Sequence, residues 1–125
     1  MKRILFLLFC PFFFLSCKGQ ETNKIKKITA EDLDAALKNK VQLVDVRTPA
    51  EYRQGHIKSA KNIDVSSGDF HTKIEALDKS KPVYVYCRSG HRSNMAARKM
   101  EKAGFTLIYD LKGGINSWSG PTVIK

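Results

Sequence analysis

One cysteine lies in a segment whose composition favours an ionised thiol. The segment Cys87-Arg88-Ser89-Gly90-His91-Arg92-Ser93 follows a β-rich run from Pro82 to Tyr86 and precedes good helix formers. A tight loop that opens a helix points unpaired backbone amides at an anion, and the helix dipole adds partial positive charge. The guanidinium groups of Arg88 and Arg92 reinforce that charge. The segment therefore predicts that Cys87 is held as a thiolate, which is the nucleophilic form of cysteine.

The remaining residues of the segment also suit an anion site. Ser89 and Ser93 carry hydroxyl groups that can donate hydrogen bonds, Gly90 permits a tight loop, and His91 can exchange a proton near neutral pH. Two simpler interpretations stay open: a cysteine at a strand end can be a buried small hydrophobe, and His91 can be a solvent-facing loop residue. The nucleophile hypothesis requires that the thiol ionise near neutrality and that solvent reach it.

The amino terminus predicts a secretory signal followed by a lipid anchor. Residues 1–16 combine the cations Lys2 and Arg3 with an apolar run that is too short for a transmembrane helix, which needs about 20 residues. The run ends in Phe14-Leu15-Ser16-Cys17, which resembles the lipobox of bacterial lipoproteins. We expect lipidation of Cys17, a flexible tether over residues 17–24, and location in a bacterial cell envelope, on the periplasmic or outer-surface side. The alternative is an ordinary secreted protein with an incidental cysteine.

The three cysteines of the chain have different predicted fates. Cleavage removes Cys10 with the signal, and acylation consumes Cys17, so only Cys87 remains as a thiol. A lone cysteine has no internal disulfide partner in a compartment where paired thiols tend to be oxidised. That isolation suits a reactive thiol that works alone.

The charge of the chain argues against a nucleic-acid partner. The formal net charge is +10, of which Lys2 and Arg3 in the predicted signal supply two. The other cations are scattered along the sequence without interleaved aromatic residues or a recognised nucleic-acid motif. They indicate a solvated basic surface that attracts anionic lipid headgroups and small anionic substrates.

Strand and helix patterns alternate along residues 25–125. The strand candidates are Ile25 to Ile28, Val41 to Val46, Ala60 to Val65, Pro82 to Tyr86 and Thr106 to Tyr109. Helices are predicted after Thr29 and Thr48, from Phe70 to Leu77, and from Ser93 to Ala103. This alternation predicts one α/β domain with a five-stranded, mostly parallel sheet and helices on both faces. Ligands of such sheets bind at the carboxyl ends of the strands, where the Cys87 loop would lie.

Three blocks of the sequence resemble the rhodanese-like domains. They are Asp45-Val46-Arg47-Thr48-Pro49-Ala50-Glu51-Tyr52 continuing to Gly55-His56-Ile57 and Asn62-Ile63, the Cys87 loop, and Leu111-Lys112-Gly113-Gly114-Ile115 with Trp118. Any single block is weak, but together they follow the order and spacing of the family from about Ile28 to Trp118. Lys58-Ser59 departs from the Pro-Gly that many members have, which affects only a local turn.

The resemblance implies a sulfurtransferase. Active members take a sulfane sulfur from an anionic donor such as thiosulfate and pass it to a thiol or to cyanide. Carried over, Cys87 is the nucleophile and persulfide carrier, the amides from Arg88 to Arg92 form its cradle, and the two arginines attract the donor. Asp45 and Arg47 are interpreted as a pair that supports the loop, and His56 as a structural residue. No metal or organic cofactor is expected, and the domain is expected to be a monomer.

Two other functions compete with this interpretation. A cysteine phosphatase or arsenate reductase uses related chemistry, but the usual phosphatase loop has its arginine six positions after the cysteine. Ser93 occupies that position here, and no second free cysteine is predicted to resolve an arsenate intermediate. A non-catalytic module that binds a partner or senses sulfur species is the third possibility, because fold analogy does not establish activity.

Overall fold

A computed structural model of the protein describes residues 23–125. The predicted signal, Cys17 and most of the predicted tether lie outside the described residues. Within the described part, every helix is too short or too polar to cross a membrane. The chain joins the sheet at Lys24, whose carbonyl accepts a 2.8 Å hydrogen bond from the amide of Ile108.

Residues 23–125 form seven strands in two sheets. The strands are β1 Ile25–Ile28, β2 Gln42–Asp45, β3 His56–Ile57, β4 Lys61–Asn62, β5 Val83–Tyr86, β6 Ile108–Leu111 and β7 Thr122–Val123. Five of them form the main sheet in the order β1-β6-β5-β2-β4, and each neighbouring pair in it is parallel. The predicted five-stranded parallel sheet is therefore confirmed. Its strands all end at one edge, where the Cys87 loop begins.

Four α-helices connect the strands: α1 Ala30–Ala36, α2 Pro49–Gln54, α3 Phe70–Ile74 and α4 His91–Lys102. Thr29 caps α1 as predicted, because its hydroxyl accepts from the amide of Asp32 and its own amide donates to the Asp32 carboxylate, both at 3.1 Å. Thr48 caps α2 through its hydroxyl, which accepts from the amide of Glu51. These side chains satisfy amides that a helix start leaves unpaired.

The sheet separates two hydrophobic clusters, so helices cover both of its faces. On one face, residues of α3 and α4 such as Phe70, Ala96 and Met100 pack on Val44 and Val85. On the other face, Leu33 of α1 packs with Leu43, Tyr86 and Leu111, and Tyr52 and Trp118 close the edge of this cluster. Because successive strand residues point to opposite faces, each central strand contributes to both clusters.

Several boundaries differ from the sequence-based prediction. The strand predicted from Ala60 to Val65 is hydrogen-bonded from Lys61 to Val65, but only Lys61–Asn62 forms a regular ladder, and α3 ends at Ile74 rather than Leu77. The last strand of the main sheet runs two residues beyond the predicted Tyr109. The segment expected only to end α2 pairs antiparallel with Thr122–Val123, a long-range contact that a local pattern does not encode.

Candidate active site

The Cys87 loop connects the end of β5 to the first turn of α4. Gly90 adopts a left-handed conformation, with φ of +114°, and α4 begins at the next residue. This turn directs the amide of Gly90 at the sulfur, with 3.0 Å between the nitrogen and Sγ. The hydroxyl oxygen of Ser93 lies 3.5 Å from Sγ on the other side. The sulfur therefore accepts a hydrogen bond from the Gly90 amide and lies within hydrogen-bond distance of the Ser93 hydroxyl.

These donors stabilise the ionised form of Cys87. Burial raises the pKa of the thiol, but hydrogen bonds from the Ser93 hydroxyl and from the amides of Ser93, Gly90 and Ser89 lower it by more. The net result is a pKa below the ordinary value of a cysteine. Of the amides predicted to form the cradle, those of Ser89 and Gly90 act on the sulfur, and the amide of Ser93 joins them.

Cys87 is nevertheless almost completely covered, at 1% exposure. Reactive cysteines are usually partly accessible, and the nucleophile hypothesis requires that a donor reach the sulfur. The residues above the thiol, Arg88 and Ser89, are exposed, and Gly90 is partly exposed. Sulfur transfer would therefore require Sγ to become more accessible than it is in this structure.

The two arginines of the loop have different surroundings. Arg88 is exposed and lines a cleft of about 260 Å³ beside the loop, together with Glu51 and Asn116. Arg92 forms a bidentate ion pair with Glu51, with N–O distances of 2.7 and 2.9 Å. Arg92 was predicted to attract the donor, but much of its charge is directed to Glu51. Arg88 is thus the arginine whose charge is more available to an anion, while His91 is exposed at the start of α4.

The Glu51–Arg92 ion pair should add stability that depends on pH. Arg92 and Thr48 lower the pKa of Glu51 from 4.5 to about 2, against the smaller raising effect of burial. Because this folded-state pKa is depressed, the contribution is complete above pH 4.5 and is lost as the pH falls toward about 2. We expect Glu51→Gln to be less stable than the parent by about 1 kcal/mol at neutral pH, the upper end for a partly exposed pair. Urea unfolding of the parent and of Glu51→Gln at neutral pH and near pH 2 measures this difference, which should vanish near pH 2. A difference that does not change with pH would contradict a stabilising role of the ionised Glu51.

The Gly113-Gly114 block packs against the backbone of the Cys87 loop. The 3₁₀ helix Gly114–Ser117 starts there, and its amides at Ile115 and Asn116 donate to the carbonyls of Cys87 and Arg88 at 2.8 and 3.1 Å. Gly114 has φ of +61°, and a Cβ at this position would lie 2.5 Å from backbone atoms of Cys87 and Arg88. A glycine is therefore required where these two segments of backbone meet.

Asp45 and Arg47 form the ion pair that the sequence analysis predicts. The guanidinium of Arg47 donates to both carboxylate oxygens of Asp45, at 2.7 to 3.1 Å, and to the carbonyl of Gly55 at 2.6 Å. It also lies over the ring of Tyr86, which immediately precedes Cys87. His56 is buried, its ring stacks on that of Tyr52, and its Nδ1 forms a hydrogen bond with the backbone carbonyl of Tyr52. These contacts agree with a structural role.

The sequence analysis missed two acidic residues that belong to the site. Glu51 was noted only as part of a sequence block, although its position on α2 brings it to Arg92. Asp110 lies in β6, and its carboxylate is 2.6 Å from the hydroxyl of Ser93. Its signal in the sequence was an acidic residue within the apolar run Ile108-Tyr109-Asp110-Leu111. Residues 23–125 contain no group of three or more His, Cys, Asp or Glu side chains placed to hold a metal ion.

Known proteins resemble this chain in sequence and in fold. Residues 29–121 match the family model described as a rhodanese-like domain. The uncharacterized protein YqhL of Bacillus subtilis is 36% identical over 124 residues, which cover 98% of this chain and 96% of YqhL. The thiosulfate sulfurtransferase GlpE of Pseudomonas aeruginosa is 34% identical over 98 residues, covering 78% of this chain and 86% of GlpE.

Solved structures agree with these sequence relatives. The crystal structure of a rhodanese-like domain protein from Staphylococcus aureus superposes with a TM-score of 0.73 at 30% identity, covering 80% of this chain and 98% of the other. A rhodanese-related protein from Thermoplasma volcanium gives a TM-score of 0.71 at 31% identity, with 80% and 99% coverage. The residues 29–121 that match the family model include the Cys87 loop and the Gly113-Gly114 block. The chain belongs to the rhodanese family and carries a single rhodanese-like domain.

Proposed function

We propose that the protein is a sulfurtransferase that carries sulfane sulfur as a persulfide on Cys87. The observation that carries this proposal is the polar environment of one sulfur atom: the Gly90 amide donates to it at 3.0 Å and the Ser93 hydroxyl oxygen lies 3.5 Å away, and hydrogen bonding lowers the thiol pKa despite burial. A thiolate at the end of a parallel strand, beside an exposed arginine, suits attack on an anionic sulfur donor.

Sulfur transfer would take place in two half-reactions. The Cys87 thiolate attacks the outer sulfur of thiosulfate, the sulfur–sulfur bond of the donor breaks, and sulfite leaves with the electron pair. An acceptor thiolate or cyanide then attacks the outer sulfur of the persulfide and releases the Cys87 thiolate. The amides around Sγ stabilise negative charge in both steps, and Arg88 favours approach of the anionic donor. A covalent intermediate of this kind predicts ping-pong kinetics.

The same contacts argue against a phosphatase. The sixth position after the cysteine is Ser93, whose hydroxyl points into the core toward Asp110 rather than into the loop opening. The neighbouring guanidinium of Arg92 is bound to Glu51. A tetrahedral phosphate would therefore lack the arginine that encloses it in such enzymes.

Intact-mass measurement after incubation with thiosulfate tests the proposal. A full chain carrying Cys10→Ser and Cys17→Ala leaves Cys87 as the only thiol and serves as the parent protein. We expect the parent to gain the mass of one sulfur atom, and cyanide to remove it, whereas the same chain with Cys87→Ser should gain nothing.

Two results would contradict the sulfurtransferase. Failure of the parent to take up sulfur from thiosulfate or from a low-molecular-weight persulfide would favour a binding or sensing module. Hydrolysis of aryl phosphates that Cys87→Ser abolishes would favour a phosphatase.

We further propose that Cys17 carries a lipid that anchors the domain to a bacterial membrane. The proposal is supported by the Phe14-Leu15-Ser16-Cys17 motif after a short apolar run, and by the basic composition of the remaining chain. A single acyl chain binds membranes only weakly, so stable anchoring needs the several chains of a lipoprotein. In cell fractionation, we expect the wild-type protein with the membranes and Cys17→Ala in the soluble fraction. Membrane retention of Cys17→Ala would exclude this anchor.

A further inference from the structure

Asp110 is a buried carboxylate that sulfur transfer, as described above, does not use. It lies in β6, between Lys27 of β1 and Val85 of β5 in the register of the sheet, and is 1% exposed. Burial of a carboxylate is costly unless hydrogen bonds or an opposite charge offset it. Among residues 23–125, no cation forms an ion pair with Asp110. A cost of this kind suggests that the carboxyl group has a role beyond packing.

The two oxygens of Asp110 have unequal surroundings. Oδ1 lies 2.6 Å from the hydroxyl oxygen of Ser93, whereas Oδ2 has no hydrogen-bond partner in the part of the chain that the structure describes. Asn94 is near enough to lower the pKa of the carboxyl, but it does not reach hydrogen-bond geometry. One serine hydroxyl is therefore the main polar contact of this carboxyl group.

Ser93 connects Asp110 to the nucleophile. Its hydroxyl oxygen has three possible acceptors within reach: Oδ1 of Asp110 at 2.6 Å, the carbonyl of Gly90 at 3.1 Å and Sγ of Cys87 at 3.5 Å. A hydroxyl has one hydrogen to donate. Whether that hydrogen points to the carboxylate or to the sulfur depends on which of the two groups is ionised.

The geometry permits two arrangements of one proton. When Asp110 is ionised, Ser93 donates to it and the Cys87 thiol donates to the serine oxygen. When Cys87 is ionised, protonated Asp110 donates to Ser93, which then donates to the thiolate. The arrangements interconvert when the S–H bond of Cys87 breaks, its proton binds the serine oxygen, and the original serine proton moves to Asp110. The buried site carries a single negative charge in both.

The surroundings shift the pKa values of Asp110 and Cys87 toward each other. Burial raises the pKa of Asp110, and the Ser93 hydrogen bond, the charge of Lys27 and the contact with Asn94 do not offset it. Hydrogen bonds lower the pKa of Cys87. The other charged group facing the sulfur is Arg92, which Glu51 of α2 holds at the start of α4. Groups whose affinities for a proton converge in this way titrate as a coupled pair.

We propose that Asp110 is a positioning residue that accepts, through Ser93, the proton that Cys87 loses on becoming a nucleophile. The inference deepens the proposed sulfurtransferase function and rests on it. It explains why a carboxylate is buried beneath the loop without a cation. It also gives the thiol an internal proton acceptor at a sulfur that bulk water scarcely reaches.

The pH dependence of alkylation of Cys87 by iodoacetamide tests the proposal in the parent protein. We expect the rate to rise in two steps: a lower step, in which the site loses one proton that Asp110 and Cys87 share, and an upper step, in which both groups become ionised. Asp110→Asn and Ser93→Ala should each show a single step: the neutral amide stands in for protonated Asp110 and leaves only the thiol to titrate, and alanine cannot transmit the proton. Ser93→Thr keeps a hydroxyl and should keep both steps, as should Glu101→Gln, a control that removes a carboxylate from the far end of α4.

A measurement without substitution at Asp110 or Ser93 guards against variants that fail to fold. The carboxyl carbon resonance of Asp110, followed by NMR in protein labelled at aspartate, should titrate in two steps in the parent and in one step in Cys87→Ser. The proposal would be overturned if the parent alkylation profile had a single step that Asp110→Asn left unchanged. It would also be overturned if the carboxyl titration of Asp110 were the same in the parent and in Cys87→Ser. Neither measurement uses a sulfur donor, so a negative result for the Asp110 proposal is distinct from a failure of persulfide formation.

Discussion

Gly114→Ala should slow persulfide formation on Cys87 by about 100-fold while the domain stays folded. The added Cβ would lie 2.5 Å from the carbonyl groups of Cys87 and Arg88, and neither backbone segment can yield without moving the loop. A displacement of about 1 Å at a reacting group can cost about 100-fold in rate. Initial rates of sulfur uptake from thiosulfate, measured by intact mass, give this effect.

Gly113→Ala is a matched control for that prediction. Gly113 has φ of +77°, so alanine there meets a similar left-handed penalty of about 1–2 kcal/mol. Its Cβ, however, would approach the side chain of Ser117 at 3.1 Å and no backbone atom of the loop. We expect Gly114→Ala to lose more free energy of unfolding than Gly113→Ala, because only its Cβ meets backbone atoms, and we expect only Gly114→Ala to lose most of its rate. Equal rates in the two variants would show that the loop does not depend on this close approach.

Arg47→Met should lower the free energy of unfolding by about 3–5 kcal/mol. Asp45 is fully buried, and its carboxylate receives three side-chain hydrogen bonds from Arg47. Removal of one partner of a buried ion pair leaves an uncompensated charge, which accounts for a loss of this size. Because the total stability of a domain is typically about 5–15 kcal/mol, the variant would be near the limit of folding. Urea unfolding monitored by fluorescence of Trp118 measures the change.

Two further variants separate the charge effect from the loss of packing. Lys73→Met breaks an exposed ion pair with Asp69, with a 3.2 Å contact, and should cost less than about 1 kcal/mol. Asp45→Asn combined with Arg47→Met should recover part of the loss of the single variant, since no charge remains buried. A double variant as unstable as the sum of its single changes would indicate that the pair is not coupled.

The sequence predicted the fold class because the physical signals for it are local. Strand Val83–Tyr86 alternates β-branched valine with aromatic tyrosine, Thr29 and Thr48 are followed by residues that complete a helix start, and these signals alternate along the chain. Alternation is sufficient for a parallel sheet, since right-handed crossovers leave few other topologies. The pairing of β3 with β7 was not predicted, because nothing near His56 indicates a partner more than 60 residues away.

The Cys87 loop was also identifiable from sequence, because its chemistry depends on neighbours in the chain. A cysteine after a strand, followed by a glycine and a helix, provides amides near the sulfur wherever the helix is packed. The assignment of donor attraction to Arg92 depended on long-range contacts instead. Glu51 lies 41 residues earlier in the sequence, and the fold of α2 against the start of α4 brings it to the guanidinium.

The sequence by itself determined that this chain builds a parallel α/β sheet with one cysteine at a strand end, since strand, helix and cap signals act between near neighbours. Only the tertiary structure decided what that sulfur contacts. The last strand of the main sheet was predicted to end at Tyr109, before the charged Asp110, whereas it continues through Asp110, whose Oδ1 lies 2.6 Å from the Ser93 hydroxyl of α4. Burial, and with it the acidity of Cys87 and Asp110, arises from packing between distant segments, which sequence spacing does not specify.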